Sequence, residues 1–293
     1  MRDIKNENYI LLSSLFDYLK QRPDDIYKAL VDNVKASGVS EEYAYATLLN
    51  SFLGLDDEFI NRYLVSMIVK DTTDKYLNNP FYQKMTIQPV DEGNLAIDYS
   101  YIEEYELFMQ DEVDEYLDGR LFAQVGYFDD FLKCLTIYEK EKVLAKFSPL
   151  IVNASISPLD EVSGKVACLG LEIGYFVYMA HLKDDVKSIV VYEQNKELIN
   201  LFKKHILPKF DYPEKIKILN EDPLDILKAQ SNKLNVDYIY VNMWNNIEDG
   251  VKEYPKYKKL EVTKSKTKYL YYLEQSINLY PKEENNANNW FLT

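Results

Sequence analysis

Apolar residues recur at helical spacing through the first seventy positions. Ile10, Leu11, Leu15, Phe16 and Leu19 fall on one helix face. Pro23 opens a second helix, with Asp24 and Asp25 in its first turn, where acids suit the helix dipole. Ile26, Leu30, Val31 and Val34 form its apolar face, and Ser37-Gly38 ends it. Ser40 caps a third helix through Tyr43, Thr47, Leu48 and Phe52, closed by Gly54. Asp56 to Glu58 open a fourth, through Phe59, Leu64 and Ile68. This rhythm predicts a helical subdomain over residues 1–75.

Residues 76–150 read as a small mixed α+β segment. KMTIQPV and NLAIDYSYI alternate as strands around a turn at Asp91-Glu92-Gly93. EYELFMQDEVDEYLDG is acidic and reads as a helix or loop leading to Gly119, and LFAQVGYFDDFLKCLTIYE is apolar and aromatic. The DDEF, EEYE and QDEVDE clusters read as solvated faces.

Within the remainder, residues 151–293, the rhythm changes. Strands are predicted at Lys165–Leu169, Ser188–Tyr192, Ile216–Leu219 and Val236–Val241. Helices are predicted at Tyr175–His181, Asn195–Phe210, Leu224–Gln230 and Glu248–Leu260. Lys268–Leu273 reads as a further strand, with helix as the alternative, and the tail PKEENNANNWFLT is polar and frayed. Strands alternating with helices predict an α/β fold with a doubly wound, mainly parallel, Rossmann-like sheet.

The chain of 293 residues carries a net charge of -14, which opposes non-specific attraction to nucleic acid and anionic lipid. The basic stretch KYKKLEVTKSKTK reads as a solvated face rather than an RNA contact. The start, MRDIKNENYILL, has no apolar segment behind a basic region, and no run is long enough to span a bilayer. Cys134 and Cys168 lie in apolar surroundings, as buried thiols do in a reducing cytoplasm, so a cytoplasmic protein is expected. His181 and His205 have no metal-ligand spacing.

In a parallel sheet of this kind, ligands bind outside the carboxyl ends of the strands. Those ends carry Gly170, Glu172 and Gly174, then Glu193, then Glu221 and Asp222, then Asn242, Met243 and Trp244. Glycines let backbone approach a ligand, and an acid about 20 residues further on can accept both ribose hydroxyl protons. Each has a plain alternative. The glycines serve close helix–strand packing, Asp222 caps a helix before Pro223, and Trp244 packs. A second register, with Glu172 ending the strand and Gly174 as first glycine, sets Phe176 and Tyr178 where the next two glycines belong and fits worse.

GKVACLGLEIGYFVYMA, VVYEQN, KIKILNEDPLDIL and DYIYVNMWNNIEDG together resemble the class I S-adenosylmethionine-dependent methyltransferases, in their spermidine-synthase-like branch. The chain is similar in particular to bacterial and phage methyltransferase-like proteins, whose loop reads GLGLGYF and whose fourth strand ends in aspartate before tryptophan. EEYELF, VGYFDDF and NASISPLDEV extend the likeness back to about residue 76.

The resemblance implies S-adenosylmethionine as cofactor. Gly170, Leu171, Glu172 and Gly174 would lie beneath its methionine moiety, Glu193 on the ribose and Asp222 near the adenine. Asn242 would face the reacting centre, and Ser155, Ser157, Asp160 and Trp244 the acceptor side, with Asn242 and Asp160 as the catalytic candidates. Two departures stand out. Glu172 replaces a glycine and Asn242 replaces an acid, and an amide cannot act as a carboxylate base. The function implied is methyl transfer to an unidentified small-molecule or protein acceptor. The alternative is an inactive methyltransferase fold acting as a binding or assembly protein. Aminopropyl transfer ranks last, because of Asn242. No nucleic-acid or membrane partner is expected, and a homo-oligomer is compatible with the sequence.

Overall fold

The computed structural model describes residues 4–21, 26–55, 63–116, 121–230, 234–262 and 265–279. The readings at Pro23–Asp25, Asp56–Phe59, Gly119 and the polar tail lie outside them. Helix α1 (Ile4–Gln21) buries Leu11, Leu12 and Leu15, while Ile10 is half exposed and leaves the expected face. Helix α2 (Lys28–Lys35) buries Val31. Helix α3 (Glu41–Leu53) begins as expected, with Ser40 Oγ accepting from the Tyr43 amide at 3.1 Å, and stops at left-handed Gly54. Glu41 accepts from Lys35 at 2.5 Å and Lys70 at 3.0 Å. Burial pushes its carboxyl up, but the two ammonium groups outweigh that and hold it at about 2.

Ile68 does not continue a helix. It starts strand β1 (Ile68–Lys70), which is followed by short helices α4 (Asp74–Leu77) and α5 (Pro80–Lys84). Next come β2 (Val90–Glu92), β3 (Leu95–Ile102), β4 (Phe108–Glu115), β5 (Leu121–Tyr127), β6 (Leu132–Glu139) and β7 (Lys142–Lys146). They form a four-stranded antiparallel sheet in the order β2-β3-β6-β7, and a three-stranded sheet β1-β5-β4 in which β1 runs parallel to β5. Met85–Pro89 is not a strand, and the hairpin turn sits at Gly93-Asn94, one step later than expected. Pro89 has no amide to give a ladder.

The acidic run read as helix or loop is strand β4, and its first half is buried rather than solvated. Asp111 is 3% exposed and accepts from the Ser276 amide at 3.1 Å and hydroxyl at 2.5 Å. Gln110 donates to Asp71 at 3.0 Å. Polar side chains with such partners can occupy core positions.

Helix α6 (Pro149–Glu161) packs on β4 and leads into β8 (Gly164–Leu169). Then follow α7 (Tyr175–His181), β9 (Val186–Glu193), α8 (Lys196–Leu201), β10 (Ile216–Asn220), α9 (Pro223–Gln230), β11 (Tyr238–Val241), α10 (Ile247–Lys258), β12 (Lys268–Tyr271) and α11 (Glu274–Ile277). All five strands are parallel, in the order β10-β9-β8-β11-β12. The order reverses at β8, as in a doubly wound Rossmann-like sheet. The helix expected through Phe210 changes pitch at Phe202, first widening over Phe202–Ile206 and then tightening over Leu207–Lys209. The strand expected to reach Leu273 stops at Tyr271. Among the described residues, no helix is long and apolar enough to cross a membrane.

Candidate functional site

The loop after β8 sits at the point where the strand order reverses. Gly170 has φ +94°, and its amide donates to Tyr192 O at 2.9 Å. A Cβ there would lie 2.0 Å from the backbone oxygen of Asn242. Gly174 caps α7 at φ +81°, and a Cβ there would lie 2.3 Å from the Phe202 ring. Both glycines therefore let protein approach protein, the residue after β11 in one case and the residue after α8 in the other.

Glu172 adopts φ +51°, a left-handed conformation uncommon for a residue with a side chain. Its Oε2 accepts from Asn242 Nδ2 at 2.8 Å. The residue is half-buried by area, but its carboxyl group is desolvated. Burial raises the carboxyl to about 8, with the Asn242 hydrogen bond opposing the rise. Asn242 is itself buried, anchored by its amide to Leu169 O at 2.8 Å, and its Oδ1 lacks a hydrogen-bond partner. The two departures from the glycine-and-acid pattern are thus partners. They close on each other across the ends of β8 and β11.

Glu193 ends β9 in a buried position. One carboxylate oxygen accepts from the Leu171 amide at 3.0 Å and the other from the Asn195 amide at 2.7 Å. It ties the loop to the following helix start, where Asn195 caps α8. Asp222 is exposed and accepts from the Leu224 amide at 2.8 Å and the Asp225 amide at 3.3 Å, the bonds of an N-cap before Pro223. Asp222→Ala is expected to cost about 1 kcal/mol, read from the urea unfolding midpoint. Trp244 is buried, donates from Nε1 to Tyr272 O at 2.9 Å, and packs edge-on to Tyr254 and Tyr257.

Helix α6 divides the acceptor-side candidates. Ser155 is fully buried, whereas Ser157 and Asp160 face solvent. Ser155 Oγ and Tyr240 OH are both buried, and their only hydrogen-bonding interaction is with each other. Tyr240 stacks on Phe176, with centroids 3.8 Å apart. Burial raises the Tyr240 and Tyr272 hydroxyls well above the usual range, Ser155 opposes the rise at Tyr240, and the negative charges of Glu172 and Asp111 add to it at both. Burial also raises the Asp111 carboxyl to about 6, against the Ser276 hydrogen bonds. Tyr272, Asp111 and Ser276 escaped the sequence reading. Their contacts span the chain, and nothing local marks them.

His181 is structural. Its Nδ1 bonds Tyr178 O, its Nε2 accepts from the Asp211 amide at 3.1 Å, and burial lowers its pKa. Both cysteines are buried free thiols, and burial pushes Cys134 to about 11. Among the described residues, no three His, Cys, Asp or Glu side chains gather as a metal site would require.

The resemblance would set the methionine half of S-adenosylmethionine over the ends of β8 and β11. There the Glu172 and Asn242 side chains bond each other, and both Glu193 oxygens are engaged by backbone amides.

No family model matches the sequence, and no curated protein matches it. Solved structures similar to the chain include a spermidine synthase in complex with the transition state analogue AdoDATO, at 13% identity over 58% of each chain and TM-score 0.30. They also include the spermidine synthase from Thermotoga maritima, at 12% identity over 64% of each chain and TM-score 0.33. A third is MNMC2 from Aquifex aeolicus, at 12% identity over 87% of this chain and 72% of that one, with TM-score 0.28. The chain spans 58% and 64% of the lengths of the two spermidine synthases.

Proposed function

We propose that this chain is a methyltransferase-fold protein whose cofactor mouth is latched shut, and that it works as a binding or assembly protein. One observation carries the reading. Glu172 and Asn242 stand 70 positions apart, each replaces the residue the fold's chemistry would use, and they bond each other at 2.8 Å. The latch would set the Glu172 side chain where the resemblance seats the methionine moiety. It also removes the carboxylate that would orient an amine. With a net charge of -14, a protein or small-molecule partner suits the surface better than nucleic acid.

Calorimetric titration with S-adenosylmethionine and S-adenosylhomocysteine tests this. The wild-type chain is expected to show no binding up to about 1 mM, a free-energy limit near -4 kcal/mol. Glu172→Gly, alone and combined with Asn242→Asp, is expected to bring binding into the micromolar range. Micromolar binding by the wild type would overturn the proposal.

A second reading, methyl transfer once the latch opens, draws on the unpartnered Asn242 Oδ1, beside which the buried Ser155 and Tyr240 hydroxyls have only each other. Buried polar atoms without partners are costly, and a bound acceptor would relieve that cost. This reading predicts micromolar cofactor binding by the wild type in the same titration.

A further inference from the structure

The antiparallel sheet carries a cleft unrelated to the latch. On β3, Tyr99 stands opposite Leu135 of β6, and Tyr101 opposite Lys133, so these side chains share one face. The segment from Phe81 to Pro89 runs along that face. The Tyr99 hydroxyl pins it, donating to Ile87 O at 2.9 Å and accepting from the Ile87 amide at 3.1 Å.

Two adjoining cavities lie here. The inner one, about 160 Å³, is walled mainly by Phe81, Met85, Leu135 and Phe147. The outer one, about 360 Å³, is lined by polar groups that include Thr86, Gln88 and Asp98. Thr86, Tyr99 and Lys133 border both.

Lys133 stands at the junction. It is half-buried, and its Nζ lies 3.9 Å from the centroid of the Tyr99 ring. It takes part in none of the ion pairs among the described residues. Asp98 is exposed, and its Oδ1 accepts from the Tyr99 amide at 2.8 Å. An ammonium held over a ring face beside an apolar chamber, outside those ion pairs, is placed to take an anion.

We propose that this cleft binds a small aromatic carboxylate, with its ring in the inner chamber and its carboxylate on Lys133. The size agrees, since an apolar cavity of about 150 Å³ is enough to hold benzene. The polarity also agrees. The apolar wall takes the ring, and the one ammonium at the junction takes the charge. A carboxylate without a ring leaves the chamber unfilled, and an aromatic amine sets two cations together.

Phenylacetate titrated into the full chain, followed calorimetrically, tests the assignment, with acetate and 2-phenylethylamine as comparators. Phenylacetate is expected to bind below about 1 mM, and both comparators at least about tenfold more weakly. Lys133→Gln is expected to weaken phenylacetate at least about tenfold, and Glu172→Gly to leave it unchanged. Absence of phenylacetate binding, equal binding of 2-phenylethylamine, or indifference to a folded Lys133→Gln chain would overturn the proposal. The two comparators are read on the wild-type chain, so they decide even if the variant does not fold.

Discussion

Glu172→Gln is expected to raise the thermal unfolding midpoint by several degrees at about pH 9 and to leave it nearly unchanged at about pH 4. The sign follows from the raised carboxyl. Burial lifts Glu172 from 4.5 to about 8 in the folded chain. Between those values the folded chain holds a proton that the unfolded chain has released. Stability therefore falls as pH rises through this window, by at most about 1.4 kcal/mol per unit. Below 4.5 both states are protonated and no penalty exists. Above 8 the penalty is complete. Glutamine keeps the oxygen that accepts from Asn242 and never ionises, so the variant lacks the penalty.

The groups around the latch push the same way or are silent. Asp111 rises from 3.8 to about 6 by burial and adds its own loss of stability as pH rises between those values. The Tyr240 and Tyr272 hydroxyls stay neutral through this range. Glu41 works in the opposite sense. Lys35 and Lys70 hold it at about 2 against its burial, so its contribution is present above 4.5 and is lost as pH falls toward 2. The Asp111 and Glu172 contributions together fall between about pH 4 and pH 8. Thermal scans of wild type and Glu172→Gln across that range measure the fall. A variant that tracks the wild type at every pH would show that the Glu172 carboxyl is solvated.

Gly170→Ala is expected to destabilise the chain by at least about 3 kcal/mol, read from urea unfolding. Two costs add. The backbone at φ +94° is one that alanine rarely adopts, and the new methyl group would meet the backbone carbonyl oxygen of Asn242, just past β11. Gly38 separates the two. Its φ of +92° is nearly the same, yet a Cβ there meets nothing within 4 Å. Gly38→Ala therefore carries the conformational cost alone, about 1–2 kcal/mol. Equal losses at the two positions would mean that the loop relaxes away from β11.

The parallel sheet was legible because its signals are local. Gly170 and Gly174 mark a turn after an apolar run, Asn195 and Asp222 cap helices two positions after a strand, and each strand is a short run rich in apolar or aromatic residues. Strand β4 was not legible. Its charges argue for solvent, and only the contacts from Asp111 to Ser276 and from Gln110 to Asp71 show why they can be buried. The candidate site was half visible. Glu172 and Asn242 each read as a departure from pattern, but departures have no address in one dimension. That they face each other is set by the β8–β11 pairing, in which Leu169 lies beside Val241. The partner of Gly174 was equally hidden, since Phe202 reads only as one apolar helix position among several.

The bond between Asp111 and Ser276 has a consequence for the order in which the chain becomes native on the ribosome. Ser276 is synthesised 165 residues after Asp111. At about 5–20 residues per second, the carboxylate waits roughly 8–33 s for its donors. Through that interval β4 cannot enter the core without desolvating an unpaired carboxylate. Closure of β4 onto α6 and α11 therefore follows the synthesis of Ser276, and the Asp111 carboxylate lacks these donors until then.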